Sequence, residues 1–352
     1  QYVMQSKVML RPLQPADGTA LAALNTASPD TGRFAVAPNY HIDPIEATQA
    51  LDPDSVGVAA VKSGESGLIG AGFVQTRQCQ VQGRLLPYGL LHSLIVHPAH
   101  RSQGIATQLT AWRLNYAQEK LGHDYLKLAL IQENNEPSLA TARKWCKQLG
   151  GRLQTAVLPT SNKPVSQLPR MTVRPVRTTE LEQVAQGLNH FYSGYELYMP
   201  ETAVSLDTWL KQSPFSQPIR HYYVAVNKQG ELLAGLGITE QCKVMTMHVT
   251  AMPAVVRGLN KLVRMVPADG ILRQLSVSKL WFAPDQRQAA SHLWETVRWQ
   301  LRDKGTHLVL TFDPRSIVPK LVRLPFWLPK ANFIVAAAGP TPIQFDRLLY
   351  PF

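Results

Sequence analysis

The chain has 352 residues, of which 45% are hydrophobic and 17% charged, a balance that excludes a disordered chain and exceeds what one hydrophobic core ordinarily holds. No apolar run is long enough to cross a bilayer, and the opening QYVMQSKVMLRPL lacks the apolar centre of a secretory signal, so a soluble, cytoplasmic chain of two domains is expected. The net charge of +12 is uneven, +3 through residue 160 and +9 beyond it, a field that can draw an acidic ligand, a nucleic acid or an anionic membrane.

In chain order, KVMLRPL reads as a first strand and PADGTALAALNTAS as a turn entering an amphipathic helix. SVGVAAVK and LIGAGFVQTRQCQVQ read as strands joined by the GESG turn, followed by the long strand LLPYGLLHSLIVHP. GIATQLTAWRLNYAQEKLG is a helix, YLKLALI a strand, SLATARKWCKQLG a second helix and RLQTAVL a short return strand. The polar, proline-bearing stretch 161–170 reads as a linker between domains 1–160 and 171–352.

The second segment repeats the plan. MTVRPVRTTELEQVAQGLNHF echoes the opening strand and helix, and IRHYYVAVN with ELLAGLGITEQCKVMTMHV echoes the early hairpin. ILRQLSVSKLWFAP, RQAASHLWETVRWQLRDKG and THLVLTF then follow in strand–helix–strand order, which suggests a duplication, with two α/β domains of merely similar pattern as the alternative. The late run RLPFWLPK, residues 323–330, is too short and broken to span a bilayer; it is expected to dock on the protein, with peripheral contact with a membrane as the alternative. The aromatics Phe191, Tyr192, Tyr195 and Tyr198 read as packing over the sheet, with an acceptor pocket as the alternative.

Cys79, Cys146 and Cys242 are too few and too scattered for a disulfide framework or a paired-thiol metal site, and no HExxH pair occurs, so no metal is expected. No zinc-finger spacing, GXXG loop or aromatic RNA-binding signature accompanies the basic charge, so nucleic acid is not the expected partner.

The chemistry concentrates where a strand ends in Leu94, Ile95, Val96, His97 and Pro98 and Arg101-Ser102-Gln103-Gly104-Ile105-Ala106 opens a helix. The first N–H groups of a helix have no acceptor within it, and a phosphate can accept them at the positive end of the helix dipole. Gly104 permits close approach, Ala106 limits crowding one turn on, and Arg101 and Gln103 flank the anion.

This stretch resembles the GNAT acyltransferase superfamily, whose central motif is approximately Arg/Gln-x-x-Gly-x-Gly/Ala and here takes the form RSQGIA. The resemblance covers roughly residues 7–158, with NNEPSLATARKWCKQLG similar to the family's Asn-bearing turn and penultimate helix. It implies an α/β fold, a mixed central sheet with splayed parallel strands flanked by helices, in two tandem copies. It also implies that the backbone of Leu94, Ile95 and Val96 pairs with the pantetheine arm of acetyl-CoA or another acyl-CoA. Residues 101–106 would wrap the pyrophosphate, and Asn134 or Asn135 would flank the arm.

In this family the thioester is attacked directly by an amine. His92, at a position where many members carry Glu, is the base candidate, and strand alternation places it on one face with Leu90, Leu94 and Val96; a histidine that fills this face and bonds to backbone is the alternative. Cys146, four residues before Gly150, stands where the family usually has a tyrosine that protonates the leaving thiolate; a small buried cysteine is the alternative. Glu133 can polarise a base or meet an amine, or be a surface charge, and Tyr88 and Tyr125 are alternative hydroxyl donors. In the second copy, Pro284 to Arg287 echoes Pro98 to Arg101, which aligns Ala290 with Gly104 and His292 with Ala106 and predicts weak or absent cofactor binding there. The implied reaction is N-acylation, acetyl leading, of a small-molecule or peptide amine. The rivals are a non-catalytic acyl-CoA sensor or scaffold and a basic protein- or nucleic-acid-binding module with a vestigial site.

Overall fold

The computed structural model describes residues 7–28, 35–263, 265–328 and 330–352. The first half runs β1 (Val8–Pro12), α1 (Gly18–Ala27), β2 (Ala35–Tyr40), α2 (Pro44–Leu51), β3 (Ser55–Lys62), β4 (Gly70–Val81), β5 (Arg84–Val96), α3 (Ile105–Leu121), β6 (Leu126–Gln132), α4 (Glu136–Ala142) and β7 (Gln148–Pro159). The second half runs β8 (Met171–Pro175), α5 (Leu181–Phe191), α6 (Ala203–Lys211), β9 (Arg220–Asn227), β10 (Leu232–Thr239) and β11 (Met245–Ala251). It continues with α7 (Ala254–Val263), β12 (Ile271–Leu272), β13 (Gln274–Phe282), α8 (Arg287–Gln300), β14 (His307–Phe312), α9 (Val318–Leu321) and β15 (Lys330–Ala338).

Twelve strands form one mixed sheet in the order β1-β3-β4-β5-β6-β15-β7-β14-β13-β10-β9-β8. The centre of that order is an exchange. β15 lies antiparallel between β6 and β7, while β7 lies antiparallel between β15 and β14. Each half therefore lends the other its last strand. The return strand expected at RLQTAVL is present, but it pairs with β15 and β14 of the second half rather than with a strand of the first. Residues 160–170 carry no helix or strand. A second sheet, β12-β11-β2, also joins the halves: β11, expected in an early hairpin, pairs instead with β2 across six positions.

The two halves repeat a local feature. Arg11 grips both oxygens of Asp17 six residues on, and the Gln14 N–H donates to the same carboxylate. Arg174 grips both oxygens of Glu180 six residues on, and the Arg177 N–H donates to it. Both acids lie below their usual pKa, first because of the guanidinium hydrogen bonds. Each strand–helix corner is thus fastened by a forked, charge-assisted contact.

Helices cover both faces of the sheet. α3 and α4 bury Leu109, Ala117, Leu139 and Ala142 on one side of the first half, and α1 and α2 bury Leu21, Leu24 and Ile45 on the other. In the second half α8 places Trp294 and Leu293 in the core, while α5 and α6 pack Leu188 and Leu206 with Trp281 against the opposite face. Tyr192 packs edge-on against Tyr195 and Tyr350 and stacks on Tyr198, with its hydroxyl donating to Leu280 O; these aromatics pack over the sheet. The run 323–330 departs from the expectation of docking on the protein. Leu328 is buried, but Phe326 is 92% and Trp327 50% exposed.

Among the described residues no helix is long and apolar enough to cross a membrane, and no cluster of three or more His, Cys, Asp or Glu is placed to hold a metal ion.

Candidate functional site

β5 and β6 run parallel but pair only from Tyr88–Leu91 to Leu126–Ala129. Beyond Ala129, β6 stays bound to β15 as far as Gln132, while β5 stays bound to β4 as far as Val96. The strands therefore diverge, and the edge of β5 over Leu94, Ile95 and Val96 faces an opening instead of a neighbour. A cavity of about 280 Å³ fills the opening, lined among others by Leu91, Ser93, Leu94, Thr110, Ala129 and Asn135.

The divergence begins at a bulge. On β4 one residue lies between Ala71 and Phe73, whereas on β5 two lie between His92 and Ile95, and Ser93 takes the left-handed region at φ 52°. One extra residue reverses the alternation. His92 shares its face with Phe73, on which its ring stacks at 5.7 Å, while Leu94 and Val96 pack with Ile105 and Leu109 of α3 on the opposite face. The expected grouping of His92 with Leu94 and Val96 is thus corrected by the bulge.

Arg113 holds that bulge. This side chain is 2% exposed and has no carboxylate partner among the described residues. Its guanidinium donates to Phe73 O and His92 O on the two strands, to Leu109 O on its own helix and to Thr110 Oγ1. Desolvation pushes its pKa down to about 9, so the buried cation is a cost to the fold that the bulge carbonyls offset. A mid-helix arginine ordinarily reads as a solvated residue. Only a glycine facing it, Gly72, whose added Cβ would meet the guanidinium at 3.1 Å, hints otherwise.

Gly104 caps α3 from the left-handed region at φ 78°, and Ser102 takes φ 64°. Among the described residues the N–H groups of Gln103, Gly104, Ile105, Ala106 and Thr107 have no protein acceptor. A Cβ at Gly104 would meet nothing within 4 Å, so the space over the helix end is open to a ligand. Arg101 donates to Val96 O and Gln103 to Ala99 O, which folds the loop back on the strand. Lys144, not singled out by the sequence, reaches across from the end of α4 to Thr107 Oγ1 at 3.0 Å and adds positive charge beside the same N–H groups. An uncapped 17-residue helix with this loop fits a pyrophosphate.

His92 stands between two hydroxyls, with Nε2 3.0 Å from Ser55 Oγ and Nδ1 3.1 Å from Ser93 Oγ. Burial lowers its pKa below the usual histidine value, partly opposed by Asp52. A second cavity of about 290 Å³, bordered by Asp52, Gln75 and Phe352, shares Leu91, His92, Ser93 and Leu130 with the first. His92 and Ser93 thus form the wall between two openings.

The remaining candidates lie apart. Asn135 caps α4 through Ser138 N–H and lines the cleft; Asn134 is exposed and outside it. Glu133 pairs with Arg152 at 2.7 Å outside either cavity. Cys146 is not on a helix, because α4 stops at Ala142 and Lys147 N–H is taken by Ala337 O as β7 begins to pair with β15. Its thiol packs beside Trp145 against the α4 core, and burial raises its pKa. Tyr125 donates to Leu114 O and is pushed up to about 12 by burial; Tyr88 is buried and likewise raised.

The second copy keeps the bulge but not the loop. Lys279 takes φ 52° at the β13 counterpart of Ser93, and its ammonium pairs with Glu201 beneath Trp209. Eight residues, 97–104, link β5 to α3, whereas only four, 283–286, link β13 to α8. The alignment of Ala290 with Gly104 and His292 with Ala106 is therefore wrong. Both lie inside α8, Ala290 is 1% exposed, and Gln286 at φ −96° occupies the cap.

Residues 23–147, about a third of the chain, match the model of the Acetyltransferase (GNAT) family. No curated protein sequence matches the chain. Among solved structures, Saccharomyces cerevisiae N-myristoyltransferase with bound myristoyl-CoA superposes with a TM-score of 0.63 at 10% identity, covering 97% of this chain and 81% of that one. A GCN5-related N-acetyltransferase from Sphaerobacter thermophilus gives 0.57 at 14% identity over 96% and 98%. A probable N-acyltransferase from Enterococcus faecalis gives 0.53 at 10% over 94% and 72%. At these identities the likeness is one of fold.

Proposed function

We propose that the chain transfers an acyl group from acyl-CoA to an amine, with acetyl as the first donor to test, a reading supported by the match of residues 23–147 to the Acetyltransferase (GNAT) family model. The observation that carries this reading is the pair of cavities meeting at His92 and Ser93, the first lined as far along α3 as Thr110, together with the N–H groups at the start of that helix that have no protein acceptor among the described residues.

In this reading Gly104, Arg101, Lys144 and the N–H groups of residues 103–107 hold the pyrophosphate, and the open edge of β5 over Leu94–Val96 pairs with the pantetheine arm. That places the thioester beside the bulge. The amine nitrogen, entering from the second cavity, attacks the thioester carbonyl, and the C–S bond breaks as the C–N bond forms. His92 accepts the amine proton directly or through Ser93 Oγ, and its lowered pKa keeps it neutral and able to accept at neutral pH. The leaving thiolate recovers a proton from solvent or from the amine by way of His92. Neither Cys146 nor Glu133 is required, since neither borders the openings. Cleft carboxylates are sparse, Asp52 being the one at the second cavity, which suits an ammonium that must be drawn in and then deprotonated.

A longer donor is the second reading, supported by superposition along 97% of the chain on a fold that holds myristoyl-CoA. CoA release would be followed with acetyl-, octanoyl- and myristoyl-CoA against pooled peptide, amino-sugar and polyamine acceptors. Acceptor-dependent release with any donor supports transfer. Tight binding with no release under any acceptor would make the chain an acyl-CoA sensor instead.

A further inference from the structure

Between α9 and β15 the chain makes a tight turn in which Leu328 N–H donates to Pro325 O at 3.1 Å. The two central residues of that turn are Phe326 and Trp327, 92% and 50% exposed. The flanks are anchored: Leu321 and Val322 are 1% exposed and Leu328 4%, all in the second-half core. The turn therefore presents its aromatics from a fixed base, where a soluble surface would ordinarily bury them.

Charge around the turn is of one sign. Residues 314–345 contain Arg315, Lys320, Arg323 and Lys330 and no Asp or Glu. Arg315 is held by Asp313, whereas no ion pair among the described residues involves Lys320, Arg323 or Lys330. Two exposed aromatics at a turn tip, flanked in sequence by three cations, match an anionic bilayer surface, where aromatic rings settle at the headgroup level and basic side chains meet the lipid charge. The turn also adjoins the donor cleft. Lys330 opens β15, and Phe333, three strand residues or about 10 Å further on, lines the cavity.

We propose that residues 320–328 with Lys330 form a peripheral membrane-docking element that seats this face on anionic phospholipid through Phe326 and Trp327, holding the cleft mouth near the bilayer. The element stands whether or not the chain transfers acyl groups, because none of Lys320, Arg323, Phe326 and Trp327 borders the cleft.

The test is co-sedimentation of the full chain with phosphatidylcholine vesicles, with and without phosphatidylserine, as salt is raised. Wild type should bind only the anionic vesicles. Phe326→Ser with Trp327→Ser should weaken binding about tenfold or more. Arg323→Gln with Lys330→Gln should weaken it on the order of twentyfold, and salt should mimic that loss. Both pairs of changes lie at the surface, and unchanged melting of each variant confirms the fold. No binding to anionic vesicles overturns the proposal, as does binding that neither pair alters. Retention on heparin that depends on Arg323 and Lys330 but not on the aromatics, with equal vesicle binding by the aromatic variant, assigns the patch to a soluble polyanion and overturns it too.

Discussion

Replacing Arg113 by Met separates stability from function at the bulge. The substitution removes the donor that satisfies Phe73 O and His92 O, two carbonyls whose loss of a partner costs about 1–3 kcal/mol each. It also removes a fully buried cation whose pKa is held at about 9, a depression that corresponds to roughly 5 kcal/mol of desolvation. The opposing effects nearly cancel, so global stability should change by no more than about 3 kcal/mol, in either direction. The bulge itself has no such compensation. A shift of about 1 Å in Ser93 and the backbone beside it would lower kcat/KM about a hundredfold. Arg113→Lys retains a cation but not the planar fork and should restore little of the loss. Thermal melting gives the first quantity and steady-state acyl transfer the second. A folded Arg113→Met variant with kcat/KM within about threefold of wild type would show that the bulge holds itself and would refute the reasoning.

Three further outcomes are expected. Gly104→Ala forces a side chain into φ 78° and should cost about 1–2 kcal/mol of stability by thermal melting, since the surrounding space is open and only the backbone objects; an unchanged melting temperature would show that the loop relaxes to another conformation. The neutral form of His92 is favoured by burial, so between its lowered folded pKa and the unfolded value near 6.5 the unfolded chain binds more protons. Its contribution to stability is present above the unfolded value and is lost as pH falls through the folded one. The acid limb of the kcat/KM profile should likewise lie below pH ~6.5 and vanish in His92→Gln; a persistent limb assigns the base elsewhere. Cys146→Ser should keep turnover within about threefold, because the thiol packs against the α4 core; a hundredfold loss would return Cys146 to the proton path.

The regular elements were legible where hydrophobic period is strong, as in β5, α3, β6 and α8, and so was the glycine-bearing loop that opens α3. What escaped depends on distant partners. β15 is an apolar run that only the edges of β6 and β7 make central, and α4 ends early because β15 claims the backbone from Lys147 onward. The bulge at Ser93 has no glycine to announce it, and it reversed the face assigned to Leu94 and Val96. In the second copy the Pro284–Arg287 spacing invited an alignment that a loop four residues shorter makes impossible. Polar residues that gain meaning only by packing, Arg113 and Lys144, left no periodic trace.

The central claim is that acyl-CoA occupies the cleft between β5 and β6 with its pyrophosphate on the start of α3. Titration calorimetry of acyl-CoA donors from acetyl to myristoyl, on wild type and on Gly104→Trp, tests it most directly. The account predicts one site per chain, weakened about a hundredfold or more in a folded variant as the N–H contacts to the pyrophosphate are blocked. Failure of every donor to bind, or binding that survives Gly104→Trp unchanged, would contradict it.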